Sequence, residues 1–510
     1  MMWDSFMEGL LLCLRLDTLG FISAGLVLGM FVGALPGFTT VMAMALVLPI
    51  SFFLDPLAGI PFLIGVYKGG IFGGSIPAIL ISVPGTGAAV ATTFDGPALT
   101  RKGQARKALD MALFASVIGD FSSDIIALLL IAPIALVALL IGPPELAAII
   151  ALALLVVAAT TSGPIVKGLV MCFIGLILSM IGQDPLEFMS RFTFGLFELK
   201  SGIPLLPMMI GVFALPEIMS SIERLTKGAL TDKIDLRKVG ERLKWPELRR
   251  CLKTIFRSAG VGTVIGMCPG LGQLVASMLS YALAKNASKT PENFGKGELE
   301  GVAAAESANN AVNGPTLIPL LTLGIPGDKV TAILLGAFVA HGMRPGPQLI
   351  NEHGAMIFAI LISMVLANIL FLFIGYICIP VFARIVSIRS VVLIPIIVIF
   401  AFAGSYVYRS DPLDLQILVI FGIFGYLAKR LDFDVAPMVM AFILGQILEY
   451  AFGQSFTMAS DGLFEFIIFN RPVAAVIFAL IPIILIIVAI RKAKAVRSSA
   501  TAMQQPEENP

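Results

Sequence analysis

The sequence predicts an all-α polytopic membrane protein, with about 12 transmembrane helices in two homologous repeats that contain broken or re-entrant Gly/Pro-rich helices. Three observations carry that prediction. The 510 residues are 58% hydrophobic and only 13% charged, whereas soluble domains are roughly half apolar and about a quarter charged. Apolar runs such as 125–141 and 473–490 approach the roughly 20 helical residues that cross a hydrocarbon core of about 30 Å. The same Gly/Pro motifs return in the same order in both halves of the chain.

Taken in order, the N-terminal segment 1–17 mixes apolar residues with a few charges and shows no small-residue cleavage site. It reads as a short interfacial helix. Apolar runs bounded by Gly, Pro or charge then place spans near 19–54, 57–90, 109–141, 145–163, 164–182, 202–222, 254–284, 302–324, 326–343, 354–383, 390–408, 412–428, 434–453 and 470–490. Two or three of these are expected to be broken or re-entrant. The organisation that follows is a first repeat over 18–222, a basic linker over 223–257, a second repeat with C-terminal helices over 258–490, and a tail over 491–510.

Lys and Arg in short loops set orientation. The loop with Arg101, Lys102, Arg106 and Lys107, the linker with eleven basic against five acidic residues, and the tail with Arg491, Lys492, Lys494 and Arg497 are expected to be cytoplasmic. Four spans between Lys107 and Glu223 then put Lys167 inside and 183–201 outside, and Lys429 and Arg430 also fall inside. The net charge of +2 gives no footprint for nucleic acid.

The repeat is explicit in the residues. Gly33-Ala-Leu-Pro36-Gly37 answers to Gly266-Met-Cys-Pro269-Gly270 at an offset of 233. Ile76-Pro77 and Pro84-Gly85 answer to Ile318-Pro319 and Pro326-Gly327 at an offset of 242, with the prolines seven residues apart each time. Repeated halves with Gly/Pro-interrupted spans point to a secondary transporter whose site forms at broken helices. Pro removes a donor and Gly permits unusual dihedrals. The break frees N–H groups that suit a carboxylate and C=O groups that suit a cation.

The densest polar clusters lie at corresponding places, from Tyr67 to Gly87 and from Glu306 to Lys329. Candidate substrate contacts are Lys68, Ser75, Pro84, Gly85, Thr86, Ser307, Asn309, Asn310, Thr322, Pro326 and Gly327. Candidate cation-binding or helix-break residues are Gly33, Pro36, Gly37, Thr39, Pro269, Gly270, Gln273, Asp120, Asp124 and Asp328. The glycines also fit plain helix packing. Lys68 is costly in apolar sequence unless it snorkels, pairs or meets an anion. Asp120 and Asp124, four apart, share a helix face, and Asp120 lies about 18 Å of rise into its span. They suit a proton or cation, or serve as partners for Lys68 or Arg106.

Five cysteines stand singly, without a CxxC pair, and read as core residues with no metal site. His341 and His353 lack metal-ligand company and are expected in loops. There is no HExxH, nucleophile elbow or Walker A motif, so neither catalysis nor a cofactor is expected. A channel lacks its filter repeat, and an intramembrane enzyme would need Asp120 and Asp124, as its acids, to flank a substrate from one helix.

Over roughly residues 20–440 the chain resembles the large membrane subunit of the bacterial tripartite tricarboxylate transporters. The likeness rests on Gly33-Ala-Leu-Pro-Gly37, Gly73-Gly74-Ser75, Ile81-Ser-Val-Pro-Gly-Thr86, Phe94-Asp95-Gly96 with Arg101-Lys-Gly-Gln-Ala105, and Gly270 through Tyr281. It continues through Phe294-Gly-Lys-Gly297, Glu300-Gly-Val-Ala303, Glu306, Asn309-Asn310, Leu323-Gly-Ile-Pro-Gly327 and Pro345-Gly-Pro347. The resemblance implies a carboxylate importer of the tri- or dicarboxylate class, working by cation symport with Na+ or H+ and by alternating access. It also implies a multi-pass place in the bacterial inner membrane, a small membrane subunit and a periplasmic solute-binding protein as partners, and a site built from the Pro-Gly regions of both halves. Lys68 and Asp328-Lys329 depart from the family pattern, and an added lysine suits a more acidic or phosphorylated anion.

Overall fold

A computed structural model describes residues 2–161, 164–226, 241–385, 390–459 and 462–486. Linker residues 227–240 and the whole tail lie outside the described residues. Among the described residues the chain is helical apart from one short antiparallel pairing, Gly182–Gln183 with Ser190–Arg191, in a loop. Among the described residues eight helices are long and apolar enough to cross a membrane, or nine if the pair Leu463–Asn470 and Pro472–Ile486, bent by 109°, forms one span. Four shorter apolar helices, among them Thr40–Ser51 and Lys329–Ala340, include pieces of interrupted spans. Leu129, Phe173, Ile399 and Ile420 each expose more than half of their surface, a pattern suited to lipid contact.

The first repeat begins with α1 (Met2–Cys13), α2 (Leu16–Gly33), α3 (Thr40–Ser51), α4 (Pro56–Gly73) and α5 (Ser75–Ile81). A 3-10 turn over Gly87–Thr93 leads to α6 (Gly96–Arg101) and the 34-residue α7 (Ala105–Ala138). Three helices follow, α8 (Pro143–Thr160), α9 (Ile165–Ser179) and α10 (Leu205–Thr226). The second repeat contains α11 (Trp245–Gly266), α12 (Gly272–Ala287), α13 (Leu299–Asn310), α14 (Leu317–Leu323), α15 (Lys329–Ala340) and the 37-residue α16 (Leu349–Ile385). Then come α17 (Ser390–Arg409), α18 (Pro412–Arg430) and α19 (Ala436–Met458). His353, expected in a loop, sits at a kink inside α16.

Small residues decide how the breaks pack. Gly25, Gly29 and Gly33 of α2 meet the backbone near Phe62, Val66 and Gly70 of α4, so the two helices run parallel and almost touch. In the second repeat Gly262 and Gly266 of α11 meet Ala308 of α13 and Val312 just beyond it in the same sense. Gly33 abuts Gly70 and Gly73, and Gly266 abuts Val312 and Pro315, which keeps the offset of 242 on the long helix.

The equivalence extends to dihedrals and caps. Gly37 and Gly270 have φ of 84° and 87°, and Ser82 and Gly324 have φ of 58° and 72°. Thr86 and Asp328 cap the following helix by accepting from the backbone of Ala89 and Thr331.

The repeats run in opposite directions. Advancing from Lys68 to Thr92 in the first repeat means going back from Asn313 to Glu306 in the second, because Lys68 and Asn313 share Asp120 while Thr92 bonds Glu306. The start of α4 at Gly59 lies against His341 beyond α15, and Lys102 beyond α6 bonds the Lys296 carbonyl just before α13. The structure thus holds two copies related by inversion.

A side chain at Gly29 has no space, since its Cβ would collide with the backbone of Val66 and Gly70, whereas at Gly260 nothing lies within 4 Å. Gly29→Leu is expected to cost about 3 kcal/mol or more through overpacking and to abolish the monodisperse peak in size exclusion. Gly260→Ala is expected to keep that peak and to raise the melting temperature slightly, by the helix propensity of alanine.

Candidate functional site

Four chain breaks meet at the centre of the molecule. The first lies between α2 and α3, where Pro36 and Gly37 turn the chain and Thr39 caps α3 by accepting from Met42 N–H at 3.2 Å. The second follows α5, with Ser82 left-handed and Pro84-Gly85 extended to the Thr86 cap. The other two are their counterparts, Met267–Leu271 before α12 and Gly324–Asp328 before α15. Backbone bonds hold them together. Gly85 N–H donates to the Gly74 carbonyl at 3.0 Å, and Gly270 N–H donates to the Gly327 carbonyl at 2.9 Å.

A cavity of about 480 Å³ opens beside these breaks, lined by Thr39, Thr40, Thr86, Gly270, Gly272, Gln273, Asp328 and Lys329, with Thr160 and Thr161 at the end of α8, Glu217 of α10, and Lys429 and Asp434 around α18. The N-termini of α3, α12 and α15 all reach it, so three positive dipole ends face one space. Tyr67 donates to Asp328 Oδ2 at 2.8 Å, and Gln273 Nε2 donates to the same carboxylate and to the Tyr67 hydroxyl. Lys329 holds both oxygens of Asp434 at 2.9 Å. Burial of Asp434 disfavours its charged form, and the Lys329 ammonium outweighs that effect, leaving the carboxyl below its usual range. The Thr40 hydroxyl is buried without a partner.

Behind the cavity lies a fully buried ion cluster. Lys68 of α4 reaches Asp120 Oδ2 and Asp124 Oδ2 of α7, each at 2.7 Å. Asn368 of α16 donates to Asp124 at 2.6 Å, and Asn313 lies 3.5 Å from Asp120. Helical spacing puts both aspartates on the face that α4 covers, and the ammonium between them offsets part of the cost of burying charge.

The model of the Tripartite tricarboxylate transporter TctA family matches residues 19–440. The chain belongs to that family. Two Agrobacterium vitis relatives match this TctA-family protein at 37% identity. One, described as an uncharacterized 52.8 kDa protein in the TAR-I ttuC' 3' region, aligns over 89% of this chain and 90% of its own length. The other, an uncharacterized protein in the TAR-II ttuC' 3' region, aligns over 43% of this chain and 90% of its own length. No solved structure matches the TctA-family chain significantly. The family implies the large subunit of a tripartite tricarboxylate transporter, a multi-pass membrane protein.

Of the residues singled out in the sequence, Thr39, Thr86, Gly270, Gln273 and Asp328 line the cavity. Gly33, Pro36, Gly37, Pro84, Gly85, Pro269, Pro326 and Gly327 form the breaks behind it, where Gly327 packs on Thr316. Lys68, Asp120 and Asp124 pair with one another instead of facing the cavity. Ser75, Ser307 and Thr322 give their hydroxyls to the carbonyls of Phe72, Ile255 and Ile318. Asn309 and Asn310 are buried off the cavity, beside Glu306. The sequence reading missed Thr40 and Asn368. Asn368 has a signal, an amide within the apolar run 354–383, whereas Thr40 is marked only by its place one residue past a cap.

Lys68→Met removes the only ammonium between two buried carboxylates, which is expected to cost about 3–5 kcal/mol and to lower the melting temperature sharply. Combining it with Asp120→Asn and Asp124→Asn is expected to restore most of the loss. A Lys68→Met protein as stable as the parent would refute this account of the cluster.

Proposed function

We propose that this chain is the membrane permease of a binding-protein-dependent system that imports a tri- or dicarboxylate by cation symport. The observation that carries the reading is the convergence of the α3, α12 and α15 N-termini on one polar cavity. Such ends attract carboxylates without a free cationic side chain, and the two lysines nearest the space, Lys329 and Lys429, are already paired with Asp434 and Glu217. Gln273 and the threonines at positions 39, 40 and 86 supply neutral hydrogen-bonding groups for the substrate. Asp328, with no lysine or arginine bonded to it, and the carbonyls freed at the breaks suit the co-transported cation.

Lys429 lines the cavity from the last turn of α18, an end that the charge rule puts in the cytoplasm, so in a bacterial inner membrane the cavity faces inward. Transport then requires the repeats to move so that the cavity opens to the periplasm, where a soluble binding protein delivers the substrate and a small membrane subunit completes the complex.

Uptake of labelled di- and tricarboxylates into cells that express this chain with its two partner subunits is expected for one acid, and only with a cation gradient imposed. Gln273→Ala is expected to raise the KM for that acid about tenfold or more, the scale of one lost hydrogen bond to a charged group, at an unchanged amount in the membrane. Uptake that ignores the gradient, or a Gln273→Ala protein with the parent KM, would remove the basis for this reading.

A further inference from the structure

Lys68 and Asn310 occupy equivalent positions, 242 residues apart, the same offset as that between Thr86 and Asp328. In the first repeat that position carries an ammonium, held by two carboxylates. In the second it carries an amide, and one helical turn earlier stands Glu306, fully buried, with no basic side chain bonded to it among the described residues. A carboxylate in that setting must bind a cation or stay neutral.

The surroundings are rich in oxygen. Thr92 donates to Glu306 Oε1, and the Ser116 hydroxyl lies 3.4 Å from Oε2. Asn310 Nδ2 donates to Ser116 at 2.8 Å and to the Glu306 carbonyl at 3.0 Å, while its Oδ1 has no partner. Asn309, also fully buried, has its amide beside the carboxylate, and its Oδ1 has no partner. Unbonded amide groups at zero exposure are costly unless they have a ligand.

We propose that Glu306, with the side-chain oxygens of Thr92, Ser116, Asn309 and Asn310, binds a monovalent cation, with Na+ as the test ion. One carboxylate balances one positive charge, and hydroxyl and amide oxygens are hard donors that suit an alkali ion. Among the described residues no group of three His, Cys, Asp or Glu side chains is placed to hold a metal ion, which argues against a divalent occupant. Thr92 and Ser116 come from the first repeat and the other three residues from α13 of the second, so the ion bridges the two inverted copies. The inference rests on the transport reading and deepens it, since it adds a cation site at Glu306, apart from Asp328 and the breaks.

The test needs neither carboxylate nor partner subunits, so its failure and that of the transport reading are distinguishable. The full-length chain, purified in detergent, is melted in NaCl or KCl at equal ionic strength at pH 6, 7.5 and 9. The expected result is a melting temperature that rises with NaCl and not with KCl, by ligand linkage. Glu306→Gln is expected to lose that rise, Asn309→Ala to need about tenfold more Na+, and Ser258→Ala, on α11, to keep the parent response. Should Glu306→Gln fail to fold, Asn309→Ala decides. The proposal is overturned if the parent shows no Na+-specific rise, if the rise follows pH and not Na+, or if Asn309→Ala responds like the parent.

Discussion

Inside a hydrocarbon core no water is at hand for an unpaired peptide group, so a helix can be interrupted there only where protein supplies the missing bonds. The organisation of this chain follows from that constraint. The four interruptions beside the cavity are each tied down by protein. Gly85 bonds Gly74 at the end of α4, Gly270 bonds Gly327, and Thr39, Thr86 and Asp328 cap the helical segments that follow. Such contacts need backbones at near contact, which explains the glycines facing each other along α2 and α4. The long helices α7 and α16 then brace the interrupted ones, α7 through the ion cluster and α16 through Asn368.

Much of this was legible in the residues. The offsets of 233 and 242 between the Pro-Gly motifs appear in the structure as matched left-handed residues, matched caps and matched helix contacts. The positions of the breaks followed from local chemistry, since Pro and Gly act on their own backbone. What stayed hidden was long-range. Inversion was illegible because the count of spans was ambiguous wherever a helix breaks midway, as it does between α13 and α14.

The side-chain roles divide in the same way. Polar residues beside a break looked alike in sequence, but their fates differ with distant partners. Ser307 is satisfied by Ile255, 52 residues away, and Lys68 meets Asn368, 300 residues away. Lys68, Asp120 and Asp124 could each be recognised as anomalous in apolar sequence, and pairing was among the options open to them. Only the fold brings the three together. Gln273 and Thr39 were legible as break residues, and the cavity they line is a product of segments from both halves.

The match between the halves is close in the backbone and poor in the charges. Two inverted copies with identical side chains would give inward- and outward-facing forms of equal free energy, each being the other turned by a two-fold rotation. Here the equivalent positions hold Lys68 in one copy and Asn310 in the other, and Thr86 in one copy answers to Asp328 in the other. On the transport reading proposed above, the degeneracy is therefore broken and one side is favoured at rest. Where the two forms differ by a few kcal/mol, one dominates and the other is a minor population, so a bound solute or ion has to supply that difference before the cycle turns. The polar substitutions that distinguish the copies thus act as a ratchet bias, set by the few places where one half has stopped resembling the other.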